Sequence, residues 1–217
     1  MFGIDKLYAF IATFFKDSTF YSELKIMEYN IESPLTGETE VISKHAHFLY
    51  NIIHERKIKI IAEIGLWKGH LAMEILNSSC KHIIEQYWGF DPWMPVPHLK
   101  ISDSRLSRYD PDGSKGEWER LHFRSTKYMI KHPQLRVIRM ASLEAAKMFD
   151  KKYFDLVFID ASHTYDECLE DIVAWVPLIK DDGIMSGHDY MNGRSQHQGV
   201  TDAIHAAFPQ EKIRKGK

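Results

Sequence analysis

The chain has 217 residues, of which 44% are hydrophobic and 27% are charged. This balance is typical of one globular domain with a sizeable core, and it excludes disordered, collagenous and fibrous classes. The 28 basic and 30 acidic residues leave a formal net charge of −2. Because no basic field is present, we do not expect nucleic acid as a partner.

Cysteine content and hydropathy indicate a reducing, aqueous compartment. Cys80 and Cys168 have no second cysteine or histidine at metal-ligand spacing, so we predict neither a disulfide framework nor a zinc knuckle. No apolar run approaches the ~20 residues of a membrane-spanning helix, and the N-terminus lacks a secretory signal. We therefore expect a cytoplasmic protein that does not bind a membrane.

The first part of the chain predicts an arm followed by a helix, a strand and a second helix. Residues 1–30 mix aromatic and charged residues without a single period, and we interpret the N-terminal arm at 1–40 as helical or partly ordered. Apolar residues at three- and four-residue intervals predict an amphipathic helix over 41–55. A β-branched run at 58–64 predicts a strand, and an apolar stripe predicts a helix from His70.

The middle of the chain alternates in the same way. We predict a strand at 83–91, a polar, proline-containing inserted loop at 93–117 and a helix at 118–129. A strand at 135–139 leads to Ser142, which we predict to be the N-cap of a short helix.

The last part contains the strongest strand signal. Residues 154–159 are almost continuously apolar, as central parallel strands buried on both faces are. A helix at 168–176, a turn at 181–183, a short strand at 184–186 and a helix at 200–208 follow. The alternation predicts an α/β fold with a doubly wound, mostly parallel sheet.

Ligands bind at the carboxyl ends of such strands, so the residues there are candidates for a site. The first strand ends in Glu63, and Gly65 and Gly69 follow it into a helix, where glycines let a ligand approach the backbone. The alternative is that the turn itself needs both glycines. The second strand ends in Asp91, which can accept both hydroxyls of a ribose, although a surface Asp before Pro is common.

Two later strand ends combine a carboxylate, an imidazole and a phenol. Asp160 and His163 precede a tyrosine at one end, and His188 and Asp189 precede a tyrosine at the next. Two such clusters on one rim predict that at least one is functional. The alternative for each histidine is a hydrogen bond to a loop carbonyl.

These motifs resemble class I S-adenosylmethionine-dependent methyltransferases, in the branch that includes macrocin O-methyltransferase and the cephalosporin hydroxylase group. The matching segments are 63–69, 89–93, 142–146, 154–165 and 183–190. The resemblance implies a Rossmann-like fold in a single domain over 1–217, with a cofactor-binding core at 55–208. It also implies methylation of a hydroxyl on a small molecule or sugar.

The resemblance assigns cofactor contacts to individual positions. It implies that Glu63 lies near the amino end of S-adenosylmethionine, that Asp91 binds the ribose and that Ser142 lies beside the adenine. The other implied cofactor-binding residues are Gly65, Trp67, Gly69 and Asp160. Acidic side chains suit this cofactor because it carries a sulfonium and an ammonium.

The same resemblance suggests a metal and a base. In some relatives the residues matching Asp160 and Asp189 hold a divalent metal, for which hard oxygen ligands favour Mg²⁺. Here His188 stands where those relatives have a carboxylate, which removes one hard ligand and leaves a candidate base. His163 is the rival base. We therefore predict Asp160, His163 and His188 as catalytic residues.

The end of the chain departs from the usual fold of this family, which closes with an antiparallel hairpin. Only residues 209–217 follow the last predicted helix, too few for two strands, so the hairpin is short or missing. Either the chain is a truncated or minimal version, or the N-terminal arm covers that edge. An uncovered edge would favour a homo-oligomer.

Two other functions are compatible with the sequence. One is a metal-dependent hydroxylase on the same scaffold, in which Asp160, His163 and His188 would be the ligands of Fe(II). The other is a catalytically silent cofactor-binding module. The methyltransferase hypothesis requires a small-molecule acceptor as its partner.

Overall fold

A computed structural model describes residues 10–13, 44–94, 116–191, 193, 195–208 and 213–215. The strands are β1 (Phe10–Thr13), β2 (Ile60–Ile64), β3 (Gln86–Asp91), β4 (Leu135–Arg139), β5 (Phe154–Ile159), β6 (Ile179–Gly187) and β7 (Ile213–Lys215). The helices are α1 (Lys44–Arg56), α2 (His70–Asn77), α3 (Glu117–Lys131), α4 (Ser142–Ala146), α5 (Tyr165–Trp175) and α6 (Gln198–Ala207).

The strands form one seven-stranded sheet in the order β4-β3-β2-β5-β6-β1-β7. Strands β2 to β6 pair in parallel, and their order reverses direction between β2 and β5. There Glu63 pairs with Phe158 and Ile64 with Ile159, so the two strands end side by side. This arrangement confirms the predicted doubly wound α/β fold and places its topological switch point at these ends.

Apolar side chains cover both faces of the sheet. On one face, Val157 and Phe90 pack with Trp175 of α5. On the other face, Leu156 and Phe158 pack in a second buried cluster against α1 and α2. Successive residues of β5 therefore contribute to opposite layers, which explains why the strand is apolar from Leu156 to Ile159.

The edge beside β6 corrects the prediction of a helical arm. Residues 10–13 form strand β1, which pairs antiparallel with β6, with Phe10 opposite Gly187. Strand β7 pairs in turn with β1. Of the two alternatives for this edge, the structure therefore has the chain's own N-terminal segment covering it, because pairing satisfies the N–H and C=O groups of β6. The remainder of 1–40 lies outside the described residues.

Two local predictions were wrong. Ala141, not Ser142, is the N-cap of α4, and the Ser142 hydroxyl instead accepts a hydrogen bond from Trp175 Nε1 at 2.8 Å. The turn predicted at 181–183 lies inside β6, which is longer than the predicted 184–186. A register shift between Phe154 and Leu156 accommodates the extra length.

The other predicted elements are confirmed within a few residues of their bounds. Most of the inserted loop predicted at 93–117 lies outside the described residues, and the division into arm, core and loop stays a prediction. Among the described helices, none is both long and apolar enough to cross a membrane.

Candidate active site

Glu63 is a buried carboxyl at the end of β2. Only 3% of the residue is exposed, and Tyr87 donates its phenolic hydrogen to Glu63 Oε2 across 2.6 Å. Burial raises the pKa of Glu63 to about 8, against the opposing effect of the Tyr87 hydrogen bond, and the charges of Asp160 and Asp91 raise it further. The group can therefore exchange a proton near neutral pH.

The two glycines after Glu63 both have a positive φ, of +93° at Gly65 and +67° at Gly69, a conformation that favours glycine. A Cβ on Gly65 would also lie 2.0 Å from the Asp160 carbonyl oxygen, so the backbone that follows β5 occupies the space beside Gly65. A Cβ on Gly69 would lie 3.2 Å from Tyr128 Cδ2, a contact with a side chain. The local backbone thus accounts for both glycines. Their predicted contact with the methionine part of the cofactor stays a prediction.

Asp91 joins the end of β3 to the loop after β2. Its Oδ2 accepts a hydrogen bond from the Trp67 N–H at 2.8 Å, and its Oδ1 accepts one from the Trp93 N–H at 2.7 Å. Burial raises the pKa of Asp91, although these N–H donors oppose the shift. Each carboxylate oxygen has a further lone pair with which it can accept a hydroxyl hydrogen.

The Trp67 side chain is 41% exposed, whereas Trp93 is fully buried. Trp93 Nε1 donates a hydrogen bond to the Trp67 carbonyl oxygen at 2.9 Å, and the Lys68 ammonium lies 4.1 Å from the centre of the Trp67 ring. Trp67 is therefore the tryptophan of this pair that a ligand can reach.

Ser142 is the first residue of α4. Its hydroxyl contacts Trp175 and also hydrogen-bonds to Asp171, which is buried in α5. The side chain therefore fixes α4 against α5. A contact with adenine stays a prediction.

The ends of β5 and β6 bring the predicted catalytic residues together. His188 Nδ1 lies 3.0 Å from Asp189 Oδ1 and 3.9 Å from Asp160 Oδ1. His163 Nε2 lies 2.8 Å from Asp189 Oδ2. Asp160, His163 and His188 line one small pocket. The structure thus groups all three predicted catalytic residues around one buried carboxylate, that of Asp189.

His197 completes this group, and sequence analysis did not select it. Its Nδ1 lies 2.8 Å from Asp189 Oδ1, and its ring stacks on that of His163 with centroids 4.3 Å apart. His197 lies in a polar segment before α6 with no periodic signal. Sequence analysis also did not select Tyr87 as a site residue, because nothing in the sequence distinguishes it from the other aromatic residues within strands.

The carboxylates and imidazoles of this cluster shift one another's pKa values toward the charged forms. Burial alone would raise the pKa of Asp189, but hydrogen bonds and charge from His163 and His188 hold it well below its ordinary value. Burial would lower the pKa of His163, yet Asp189 and the charge of Asp160 raise it above its ordinary value. Asp189 is therefore a carboxylate that orients imidazoles, as in other proton-transfer sites.

The donor atoms around Asp160 and Asp189 do not fit Mg²⁺. This ion takes oxygen ligands in octahedral geometry, whereas imidazole suits Zn, Fe, Co and Ni. Three imidazoles lie against Asp189, and His188 stands between the two carboxylates. The Mg²⁺ expectation therefore has only the sequence resemblance as support.

Solved structures share this fold. A protein from Staphylococcus aureus described as a caffeoyl-CoA O-methyltransferase matches with a TM-score of 0.54 and 17% identity, over 79% of this chain and 76% of that one. The methyltransferase PaMTH1 from Podospora anserina, solved with S-adenosylhomocysteine (SAH) bound, matches with a TM-score of 0.51 and 15% identity, over 77% of this chain and 70% of that one. At such identities the similarity shows the fold alone.

Comparison with curated proteins gives no match. The family described as "Methyltransferase domain" matches residues 62–190, which is more than half of the chain. The matched segment runs from β2 to just beyond Asp189, and so it includes the carboxyl ends of all five parallel strands. The chain therefore belongs to this methyltransferase domain family.

Proposed function

We propose that this protein is an S-adenosylmethionine-dependent methyltransferase that acts on a hydroxyl of a small molecule or sugar. The observation that carries the proposal is the convergence of Glu63, Asp91 and Asp160 at the ends of three adjacent strands, next to an imidazole cluster. Carboxylates in this position suit a ligand with a sulfonium and an ammonium. The SAH bound to the Podospora anserina neighbour supports the same cofactor.

The cofactor would lie across the ends of β2 and β3. In this placement Glu63 accepts a hydrogen bond from its ammonium, and Asp91 accepts the ribose hydroxyls with its remaining lone pairs. Trp67, which is 41% exposed, lies in the loop that follows Glu63, and its N–H donates to Asp91, so its ring offers an aromatic face beside Asp91. A sulfonium over such a face gains about 1 kcal/mol.

His188 is the base that we favour for methyl transfer. It lies between Asp160 and Asp189, and Asp189 orients its Nδ1 at 3.0 Å. The imidazole takes the proton of the acceptor hydroxyl as the oxygen forms a bond to the methyl carbon. The carbon–sulfur bond breaks, and its electron pair stays on sulfur to give neutral S-adenosylhomocysteine. Positioned bases typically contribute about 10²–10⁴ in rate.

His163 remains the second candidate base. Its Nε2 contacts the other oxygen of Asp189 at 2.8 Å, and its imidazole lines the same pocket. Comparing the substitutions His188→Gln and His163→Gln in single-turnover methyl transfer separates the two roles, because the base controls the chemical step.

A screen of acceptors tests the proposal. The protein is incubated with S-adenosylmethionine labelled in its methyl group and with a panel of phenols, sugars and other hydroxyl compounds, and products are identified by mass spectrometry. We expect label on an acceptor oxygen. Label on nitrogen or carbon only would contradict O-methylation. Cofactor binding without any labelled product would instead favour a silent binding module.

A parallel assay of the same acceptors distinguishes the hydroxylase alternative. Turnover with Fe(II) and a 2-oxo acid, in the absence of S-adenosylmethionine, would replace the methyltransferase proposal. The motifs at 154–165 and 183–190 support the branch with macrocin O-methyltransferase and the cephalosporin hydroxylase group, which contains both chemistries.

We also propose a cytoplasmic location and no nucleic-acid partner. The two cysteines are buried and not joined in a disulfide bond, which suits a reducing compartment, and the formal charge is −2. Microscopy of a fluorescent fusion tests the location, and an electrophoretic shift assay with RNA and DNA tests the partner. Whether the chain forms a homo-oligomer is measured by sedimentation.

A further inference from the structure

Two imidazoles and one carboxylate converge beside the pocket described above. His163 Nε2 and His197 Nδ1 each lie 2.8 Å from an oxygen of Asp189, on Oδ2 and Oδ1 respectively. One ligand atom from each of the three residues lies within 4.8 Å of the other two. Asp189 is 6% exposed and His197 is 8% exposed, whereas the His163 side chain is 35% exposed, so the group is buried on one side and reached by solvent at His163.

The fold holds these side chains together by tight backbone packing. A Cβ on Gly199 would lie 2.6 Å from the His163 carbonyl oxygen, so the start of α6 approaches the segment after β5 with no space between them. The Met191 N–H donates a hydrogen bond to Thr201 Oγ1 at 3.0 Å, which ties the turn after Asp189 to the same helix. Three chain segments are thereby fixed around one point.

We infer that His163, Asp189 and His197 form a binding site for a divalent first-row transition-metal cation of the Zn²⁺ or Fe²⁺ class. Neutral imidazole nitrogens are ligands of these cations and not of Mg²⁺. The ligand atoms of a tetrahedral Zn²⁺ site with bonds near 2.0–2.1 Å lie about 3.3 Å apart. The two nitrogen–oxygen separations of 2.8 Å, each to a different oxygen of Asp189, are a few tenths of an ångström shorter than this, and the three ligand atoms together lie within 4.8 Å of one another.

Three protein ligands leave at least one coordination position for water or for a ligand oxygen, as in catalytic metal sites. The site would lie next to His188, which contacts the same carboxylate at 3.0 Å. The inference concerns metal binding and does not require that the cofactor or the methyl transfer be assigned correctly. If it holds, His163 is a metal ligand, which leaves His188 as the base.

Metal titration of the full chain tests the inference. Co²⁺ is added to metal-free protein, and its visible d–d absorption is recorded. Zn²⁺ affinity is then measured by competition with a chromophoric chelator, in the presence and absence of excess Mg²⁺. We expect one Co²⁺ per chain in a site of low symmetry, displacement of Co²⁺ by Zn²⁺, and no displacement by Mg²⁺.

The substitution His197→Gln removes one ligand, and His82→Gln is the matched control on an exposed histidine of the turn after α2. Mutation of a residue that only hydrogen-bonds to a metal ligand weakens metal binding by about 10- to 100-fold. We expect His197→Gln, which removes a ligand, to weaken Zn²⁺ binding by at least that much. His82→Gln should leave it unchanged. Equal Zn²⁺ affinities in the wild type and His197→Gln would overturn the assignment.

A measurement on the wild type keeps the inference falsifiable if a variant does not fold. X-ray absorption of the Zn²⁺-loaded protein counts the imidazole ligands of the bound ion. We expect two imidazoles with oxygen completing the shell, whereas one or none would overturn the site. SAH binding is measured separately on the same samples, so failure of the metal site and failure of the methyltransferase proposal are distinguished.

Discussion

Tyr87 donates its phenolic hydrogen to Glu63 Oε2 across 2.6 Å, inside the sheet and out of contact with bulk water. The two residues lie on the neighbouring strands β2 and β3. Burial raises the pKa of Glu63 to about 8, although the Tyr87 hydrogen bond acts in the opposite direction. Glu63 is therefore mostly protonated at pH 7 before any cation binds.

This protonation predicts that SAH binding releases a proton. An ammonium beside Glu63 favours the carboxylate, so its pKa falls on binding, and at pH 7 close to one proton leaves. The affinity for SAH should accordingly rise as the pH increases toward 8 and level off above it. Calorimetric titration in buffers with different ionisation enthalpies measures the number of protons directly.

Glu63→Gln is the control for proton release. It keeps the size of the side chain and removes the titrating group, so binding should weaken and the buffer dependence should disappear. Proton release that persists in Glu63→Gln would show that another group titrates and that Glu63 does not contact the ammonium.

Gly65→Ala should destabilise the fold severely. Its Cβ would meet the Asp160 carbonyl oxygen at 2.0 Å, and the φ of +93° is unfavourable for alanine. Gly116 also has a positive φ, of +66°, but no atom of the described residues lies within 4 Å of an added Cβ. We expect a loss of at least about 3 kcal/mol in the free energy of unfolding for Gly65→Ala, from overpacking together with backbone strain.

The matched substitution Gly116→Ala should lower the free energy of unfolding by only about 1 kcal/mol, since it introduces backbone strain alone. Urea unfolding measures both losses. Failure of Gly65→Ala to fold would also agree with a steric clash at the Asp160 carbonyl oxygen. Equal losses in the two variants would contradict that clash.

Sequence reasoning located most of the strand ends because the signal there is local. Residues 156–159 are apolar and Asp160 is not, so the end of β5 and its carboxylate are visible without a structure. Asp91 likewise is the charged residue at the end of β3. Glu63 is visible for a different reason, because it is the one charged residue inside the apolar run at 60–64.

The missed features depend on contacts between distant segments. Residues 10–13 become a strand only because the edge of β6 accepts them, and four residues carry too little pattern to show this. His197 reaches Asp189 through the packing of α6 at Gly199, which no spacing of ligands in the sequence reveals. Ser142 resembles an N-cap, yet Trp175 and Asp171 use its hydroxyl.

Asp171 should make stability depend on pH. Burial raises its pKa from 3.8 to about 6, with Ser142 opposing and Glu167 and Glu170 adding to the shift. The folded state therefore holds this proton more tightly than the unfolded state, so the free energy of unfolding falls as the pH rises from about 4 to about 7. Relative to the wild type, Asp171→Asn should gain about 2 kcal/mol over that interval.

Urea unfolding at a series of pH values measures this gain. Ser142→Ala is a companion variant: it removes the hydrogen bond that stabilises the carboxylate, so its stability should fall more steeply with pH than that of the wild type. Parallel curves for the wild type and Asp171→Asn would show that Asp171 does not titrate in this range.

His188→Gln should slow methyl transfer without loss of cofactor binding. Glutamine retains a polar side chain of similar length but cannot accept the proton, so kcat should fall by about 10²–10⁴. SAH affinity should change little, because His188 contacts Asp160 and Asp189 and is not among the residues proposed to hold the cofactor. An unchanged kcat would assign the base to another residue.

The most direct test of the central claim is a calorimetric titration of the folded protein with SAH, compared with the same titration of Asp91→Ala. Asp91 is proposed to accept the ribose hydroxyls, and each hydrogen bond to a charged group contributes about 1.5–3 kcal/mol. We predict saturable binding of one SAH per chain, weakened by at least about 10-fold in Asp91→Ala. Absence of binding to the wild type at millimolar SAH would contradict the account.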